Sequence, residues 1–292
     1  METGRNLQRP GLWIKVAALL LFLGVGALIM VVFSPLRPVF DRTGQYTADY
    51  LGRILLVTLL YLSVVLVRKN EKIAALLPVL AGLLIMAVAV SMDWIFAVYL
   101  LKYLRVDGNS PTGYFLQKLN ELFVVGVVVI GMTRCMGGSL KDLYIQKGNL
   151  KLGLLIGIGT FVIAAITAIP TAKFMFNLDT EALSGFWKWA PWLLLFVLAN
   201  ASMEELLFRG LFLKRLQPLL GAFLSNFMIA FVFTGLHQAA NYTSQMSIFL
   251  VVVVLLALLW GYIIQKTNAL WASILFHAGM DLSIMLGIFS NL

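Results

Sequence analysis

Apolar residues in this chain come in long unbroken runs, not in the one-sided or alternating patterns of soluble helices and strands. Nine such runs stand out, at roughly 13–33, 51–67, 73–91, 121–136, 152–170, 191–212, 222–241, 247–265 and 268–289. About twenty apolar residues cross a bilayer as a helix. Only helices and closed barrels satisfy the backbone in lipid, and these runs are too long for barrel strands. The pattern therefore predicts an all-α fold, a polytopic transmembrane helix bundle of about nine spans. Polar loops are short, and no soluble domain, low-complexity tract or internal repeat interrupts the series.

Composition agrees with that picture. Of 292 residues, 61% are hydrophobic and 12% charged, against about half and about a quarter in an ordinary soluble domain. The net charge of +9 does not point to nucleic acid, because the basic residues are scattered between apolar runs instead of forming one soluble patch. Basic loops beside membrane spans follow from topology. With the N-terminus inside, the inner segments carry the excess of Lys and Arg, while Arg53 and Lys118 count among the outer ones. The first run, beginning at Trp13, is longer than a signal-peptide core and is followed by "FSPLRP", so it is expected to be a retained span. The single cysteine, Cys135, excludes an internal disulfide and is expected to be a spectator thiol.

Two segments resist the simple reading. In "MDWIFAVYLLKYLRVDG" the third span is expected to have ended before Asp93, with an interfacial amphipathic helix anchored by Trp94 and Tyr99; the alternative makes Asp93 an intramembrane carboxylate. In "KFMFNLDTEALSGFWKWAPW" the expectation is again an interfacial segment, with Trp187, Trp189 and Trp192 at headgroup level. The triplet "NYT" at Asn241 matches a glycosylation sequon but carries little information by itself.

The strongest anomaly is "SMEELLFRG", residues 202–210, inside an apolar run. A charge at the centre of a membrane helix costs about 2.5–3.5 kcal/mol on insertion scales, so three charges in six residues need a reason. Successive α-helical residues lie about 100° apart, and Glu205 and Arg209, four apart, share a face with the carboxylate in the favourable first position. They are expected to pair, leaving Glu204 on the face of Asn200. Both histidines also fall in predicted spans. His237 follows Phe233 by four residues, and His277 precedes Asp281 by four. Intramembrane ionisable groups face the bundle interior or a watery cavity, so Glu204, His237, His277 and Asp281 are expected to line one cavity among three helices. Glutamate with histidine can hold and deprotonate water, and a second histidine with a further polar group can stabilise an oxyanion. The same groups could hold Zn²⁺, although no HExxH-type pair is present. Each pair alone could equally be structural, Glu205–Arg209 as a clamp and His277–Asp281 as a buried ion pair.

At these residues the sequence resembles the CAAX prenyl protease and bacteriocin-processing (Abi) family of intramembrane glutamic endopeptidases. The family's three motifs, E-E-x-x-x-R, F-x-x-x-H and H-x-x-x-(N or D), stand here as "EELLFR" (204–209), "FTGLH" (233–237) and "HAGMD" (277–281). The resemblance covers roughly residues 145–290. It implies a helical membrane bundle with its site in a cavity between helices. It implies Glu204 as the general base activating water, with His237 helping to hold that water. His277 and Asp281 would stabilise the oxyanion, while Glu205 and Arg209 support the first-motif helix. No cofactor and no metal are implied.

The sequence is thus expected to encode accessory spans without motif over 1–145 and a membrane-embedded peptidase-like core over 146–292. Its expected activity is hydrolysis of a peptide bond in a membrane-associated peptide or small protein, in the bilayer of a prokaryotic cell, with a cytoplasmic N-terminus and no nucleic-acid partner. The alternatives are a zinc-dependent protease at the same site, a non-catalytic scaffold or immunity protein, and a proton-coupled transporter.

Overall fold

The computed structural model describes residues 11–34, 46–178, 186–238 and 243–289, without the side chains of 97–99, 186, 288 and 289. Among the described residues the secondary structure is helical, with no strand. The elements are α1 (Leu12–Val32), α2 (Tyr46–Arg68), α3 (Leu77–Leu104), α4 (Pro111–Cys135), α5 (Leu150–Phe176), α6 (Ala190–Glu204), α7 (Leu211–Leu220), α8 (Ala222–His237), α9 (Met246–Thr267) and α10 (Trp271–Phe289). A π-helical turn, Glu205–Gly210, joins α6 to α7, so the two run on as one rod. Among the described residues seven helical stretches are long and apolar enough to cross a membrane, the α6–α7 rod counting as one, and α8 and α10 are shorter apolar helices. The protein is a polytopic helical bundle and an integral membrane protein.

Helix lengths correct several sequence boundaries. α2 has 23 residues and α4 has 25, both longer than their apolar cores, because each begins with a polar turn that hydropathy does not register. Ser110 caps α4, accepting from the Gly113 N–H, and Pro111 opens the helix. Lys118 therefore lies within α4, not in an outer loop, and Arg53 lies within α2, buried and paired with Asp49 at 2.9 Å.

The expectation that the third span ends before Asp93 is overturned. α3 continues unbroken to Leu104, with Arg105 in the left-handed region as its cap. Asp93 is 3% exposed and Trp94 is buried, not at an interface. Trp94 instead packs edge-on to Tyr50 and under the Arg53 guanidinium, 4.7 Å from its ring centre. The buried carboxylate reads as a span end in a hydropathy scan, yet here it faces other helices. The side chain of Tyr99 and the sequon at Asn241 lie outside the described residues. Trp187 is exposed, and Trp192 packs against Phe115 with ring centres 5.6 Å apart.

The tightest helix contact is between α5 and α10, and it is made by small residues. A Cβ on Gly157 would come within 3.1 Å of the Ala272 backbone, and one on Gly279 within 3.0 Å of the Phe161 backbone. Such close approach is how membrane helices gain packing energy without a hydrophobic drive between them. It also sets the position of α10, which carries His277 and Asp281. On the other side, α4 packs against both α3 and α6, so the motif-bearing rod has helices of both halves of the chain around it.

The loop between α4 and α5 lies outside the spans and is locally stiff. Ser139 donates its backbone N–H to Asp142 Oδ2 at 2.7 Å and accepts the Asp142 backbone N–H on its side chain, a capping box, and its hydroxyl lies 3.0 Å from the same Oδ2 as a further donor. Burial alone would raise the Asp142 carboxyl, but those two donors, with Lys214 and Arg215 near by, outweigh it and hold the group below its usual range. The loop packs beneath the π turn, where a Cβ on Gly210 would lie 3.2 Å from the Leu143 carbonyl oxygen.

Candidate active site

The first motif falls on the π turn. The Leu211 N–H reaches back five residues to the Leu206 carbonyl, which widens the helix at Glu205–Gly210. A π turn is less favourable than the α-helix it replaces, and it persists here around a fully buried ion pair. Arg209 Nη1 donates to Glu205 Oε1 at 2.7 Å, and neither side chain is exposed. Arg209 also donates to the Ala257 carbonyl, and its guanidinium lies 4.7 Å from the Phe233 ring centre and 5.1 Å from that of Trp260. Three helices thus close around one cation, which suits a planar, weakly hydrated guanidinium better than an ammonium.

Glu205 is more than half of that pair. Ser273 Oγ donates to its Oε2 at 2.6 Å, and His277 Nδ1 donates to Oε1 at 2.8 Å. With Arg209 and Ser273 both donating to it, the carboxylate is an acceptor, which assigns the Nδ1 proton to His277. The ring of His277 also stacks on Trp260, 3.9 Å apart and 14° from parallel. Its orientation is therefore fixed from the edge and from the face.

Nε2 of His277 faces the other two carboxylates. Glu204 Oε2 lies 3.4 Å away and Asp281 Oδ1 3.6 Å away. Asp281 is held in turn by Asn200, whose Nδ2 donates to Oδ2 at 2.9 Å. Glu204 Oε2 is buried without a hydrogen-bond partner. The four motif residues are brought together, though not as equals. Glu204, His237 and Asp281 line a cavity of about 270 Å³, whereas His277 is 2% exposed and sits behind the wall.

His237 joins them because α8 is short. Its 16 residues make about 24 Å of helix, less than the about 30 Å of a hydrocarbon core. The helix ends at His237, whose Nδ1 meets the Phe233 carbonyl at 2.9 Å. Phe233 separates the two histidines, its ring centre 4.5 Å from that of His237 and 5.7 Å from that of His277. The second motif thus places an aromatic spacer and a histidine on one face, one turn apart.

The cavity also draws on helices that carry no motif. Asp93 of α3 and Lys118 and Glu121 of α4 line it, and Lys118 Nζ pairs with Glu121 Oε2 at 2.5 Å. Sequence reasoning placed Lys118 outside and gave Glu121 no role. The available signal was their spacing, three apart and beside an apolar run, which resembles Glu205–Arg209 in kind.

Residues 186–283 match the family model described as type II CAAX prenyl endopeptidase Rce1-like. The matched segment contains all three motifs, and over these residues the chain is similar to CAAX-type prenyl endopeptidases. Comparison with curated proteins and with solved structures finds no match.

Proposed function

We propose that the protein is an intramembrane endopeptidase that hydrolyses a peptide bond with a water activated by Glu204. The observation that carries this reading is the arrangement around His277. An orienting carboxylate sits on one ring nitrogen, and two further carboxylates, Glu204 and Asp281, flank the other beside a cavity.

In this reading Glu204 takes a proton from water while His237 helps to hold that water at the cavity wall. The resulting hydroxide attacks the substrate carbonyl. His277, whose Nδ1 proton is committed to Glu205, carries a second proton on Nε2 and, with Asp281, hydrogen-bonds the tetrahedral oxyanion, and Glu204 returns the proton to the leaving amine. Glu205 and Arg209 act through His277 as positioning residues, with Trp260 fixing the plane of the ring. Asn200 positions Asp281. The water-excluded setting strengthens each of these interactions, and no covalent intermediate is needed. The substrate is a membrane-associated peptide or small protein. The core is residues 146–292, with residues 1–145 supplying further walls of the cavity. The N-terminus is cytoplasmic, in a prokaryotic cell membrane.

The test is a peptide-cleavage screen on detergent-purified protein, with Glu204→Ala as control. The expected result is mass-identified cleavage in the wild type and none in the variant. Cleavage that survives Glu204→Ala would remove the proposed base, and the absence of cleavage across peptides and lipid-linked substrates would favour a scaffold.

A further inference from the structure

Hydrolysis as proposed uses one side of the cavity and leaves the other unexplained. There Asp93 is 3% exposed, and its Oδ1 has no hydrogen-bond partner. Ser34, 2% exposed and just beyond the end of α1, has an unpartnered Oγ in the same cavity wall. Leaving an oxygen of a buried carboxylate without a hydrogen bond is costly in a membrane helix, and nothing in the proposed chemistry requires it.

The charge of the lining points one way. Four carboxylates, those of Asp93, Glu121, Glu204 and Asp281, face the cavity with a single ammonium, that of Lys118. The formal charge is −3 with His237 neutral, inside a chain whose net charge is +9. Lys118 is engaged by Glu121, and Arg53, the other cation near α3, bonds Asp49. Asp281 is held by Asn200, and Glu204 faces His277. Asp93 makes no such short contact: Lys118 and Arg53 lie near enough to act on it, but neither is hydrogen-bonded to it.

We propose that the Asp93 end of the cavity is a recognition subsite for a cationic side chain, Lys or Arg, of the peptide substrate. Asp93 is its charge partner and Ser34 a second acceptor. A basic residue has an apolar stem as well as a charged head. The lining supplies for the stem Met30, Val90 and Val125, which lie three or four residues from Ser34, Asp93 and Glu121 on the same helices and face the same cavity. With Glu121 paired to Lys118, Asp281 held by Asn200 and Glu204 facing His277, Asp93 is left as the site for one cation. This inference rests on the peptidase reading and sharpens its substrate class, from a membrane-associated peptide to one carrying a basic residue near the cleaved bond.

The test uses apolar peptides, N-acetylated and C-amidated, in which Lys or its uncharged isostere norleucine is walked through each position. Binding is read by fluorescence anisotropy on full-length Glu204→Gln in nanodiscs, where chemistry is blocked, and cleavage is read on the wild type. At one position Lys is expected to bind at least tenfold tighter than norleucine. Adding Asp93→Asn should bring the ratio within twofold. Equal affinity for the two peptides overturns the subsite, as does a Lys preference that Asp93→Asn leaves intact. A norleucine peptide with a free N-terminal amine is a further arm, and binding of that peptide as tight as the Lys peptide overturns the side-chain assignment. Should Asp93→Asn not fold, the Lys-to-norleucine ratio on the Asp93-containing protein still decides. Cleavage without Lys preference refutes the subsite and keeps the peptidase. Lys preference without any cleavage keeps the subsite and refutes the peptidase.

Discussion

His277 donates Nδ1–H to Glu205 across two helices at 2.8 Å, and the next carboxylate in the chain, Glu204, approaches the opposite nitrogen at 3.4 Å. Adjacent glutamates thus grip one imidazole from two sides. Successive helical residues leave the axis about 100° apart, and the π turn begins at Glu205, directly after Glu204. The two residues divide the work, one fixing the ring and the other facing the cavity.

That division predicts different failures. Glu204→Gln keeps shape and removes the base, so turnover should fall about 10²–10⁴-fold while extraction, gel-filtration profile and melting temperature stay those of the wild type. Arg209→Ala strands the buried Glu205 carboxylate and should cost about 3–5 kcal/mol, seen as lower folded yield and an earlier melt as well as lost activity. Equal loss of folding in the two variants would contradict the division.

A second prediction concerns Asn200 and Asp281. Their hydrogen bond needs one amide and one acid, in either order. Asn200→Asp alone sets two carboxylates face to face and should lower both stability and turnover. Asp281→Asn added to it restores an amide–acid pair and should recover much of the lost stability. The coupling between the two sites in a double-mutant cycle is expected at about 0.5–3 kcal/mol. Additive losses would show that the contact does not hold Asp281.

How far the site could be foreseen depended on the range of each interaction. Glu205–Arg209 and Phe233–His237 are four apart on continuous helix, so spacing alone revealed them. Glu205–His277, Trp260 over His277, and Asn200–Asp281 join residues far apart in the chain, and no local pattern announces them. The π turn was invisible because "EELLFR" has neither Gly nor Pro and reads as ordinary helix. Asp93 was misplaced for a related reason: a hydropathy scan treats a carboxylate as the end of a span and takes no account of the helices packed against it. The short α8, by contrast, resolves a tension visible in the sequence, since His237 could meet Glu204 only if the helices tilted or ended early.

A third prediction tests how α10 is set in place. A Cβ at Gly279 would lie 3.0 Å from the Phe161 backbone and from Ala164 Cβ, and neither can move without shifting α5. Gly279→Val should cost about 1–3 kcal/mol by overpacking. It should also cut turnover more than that destabilisation explains, because His277 and Asp281 stand two residues to either side. Val at Gly159, where a Cβ meets nothing within 4 Å, should leave activity near wild type. A Gly279→Val enzyme of full activity would show that the α5–α10 spacing does not govern the site.

The last prediction addresses the metal, because it most changes the mechanism. A zinc reading would take Nε2 of His277 with Glu204 and Asp281 as ligands, and Glu205 on Nδ1 would then orient a metal-bound histidine by accepting its other ring N–H. Glu204 and Asp281 stand at 3.4 and 3.6 Å from Nε2. Among the described residues no three His, Cys, Asp or Glu side chains converge as a metal-binding group, so this reading requires the carboxylates to close in. The glutamic reading uses the residues where they stand, with water between them and the substrate. Both histidines contact the Phe233 ring, and a zinc ion bound by both would need them within two bond lengths of about 2.0–2.1 Å each. Purified active protein is therefore expected to hold well under one equivalent of zinc by elemental analysis. 1,10-Phenanthroline should slow turnover no more than its non-chelating isomer does. Stoichiometric zinc, with activity lost to the chelator and restored by added metal, would recast Glu204, His277 and Asp281 as ligands and move the activation of water from Glu204 to the ion.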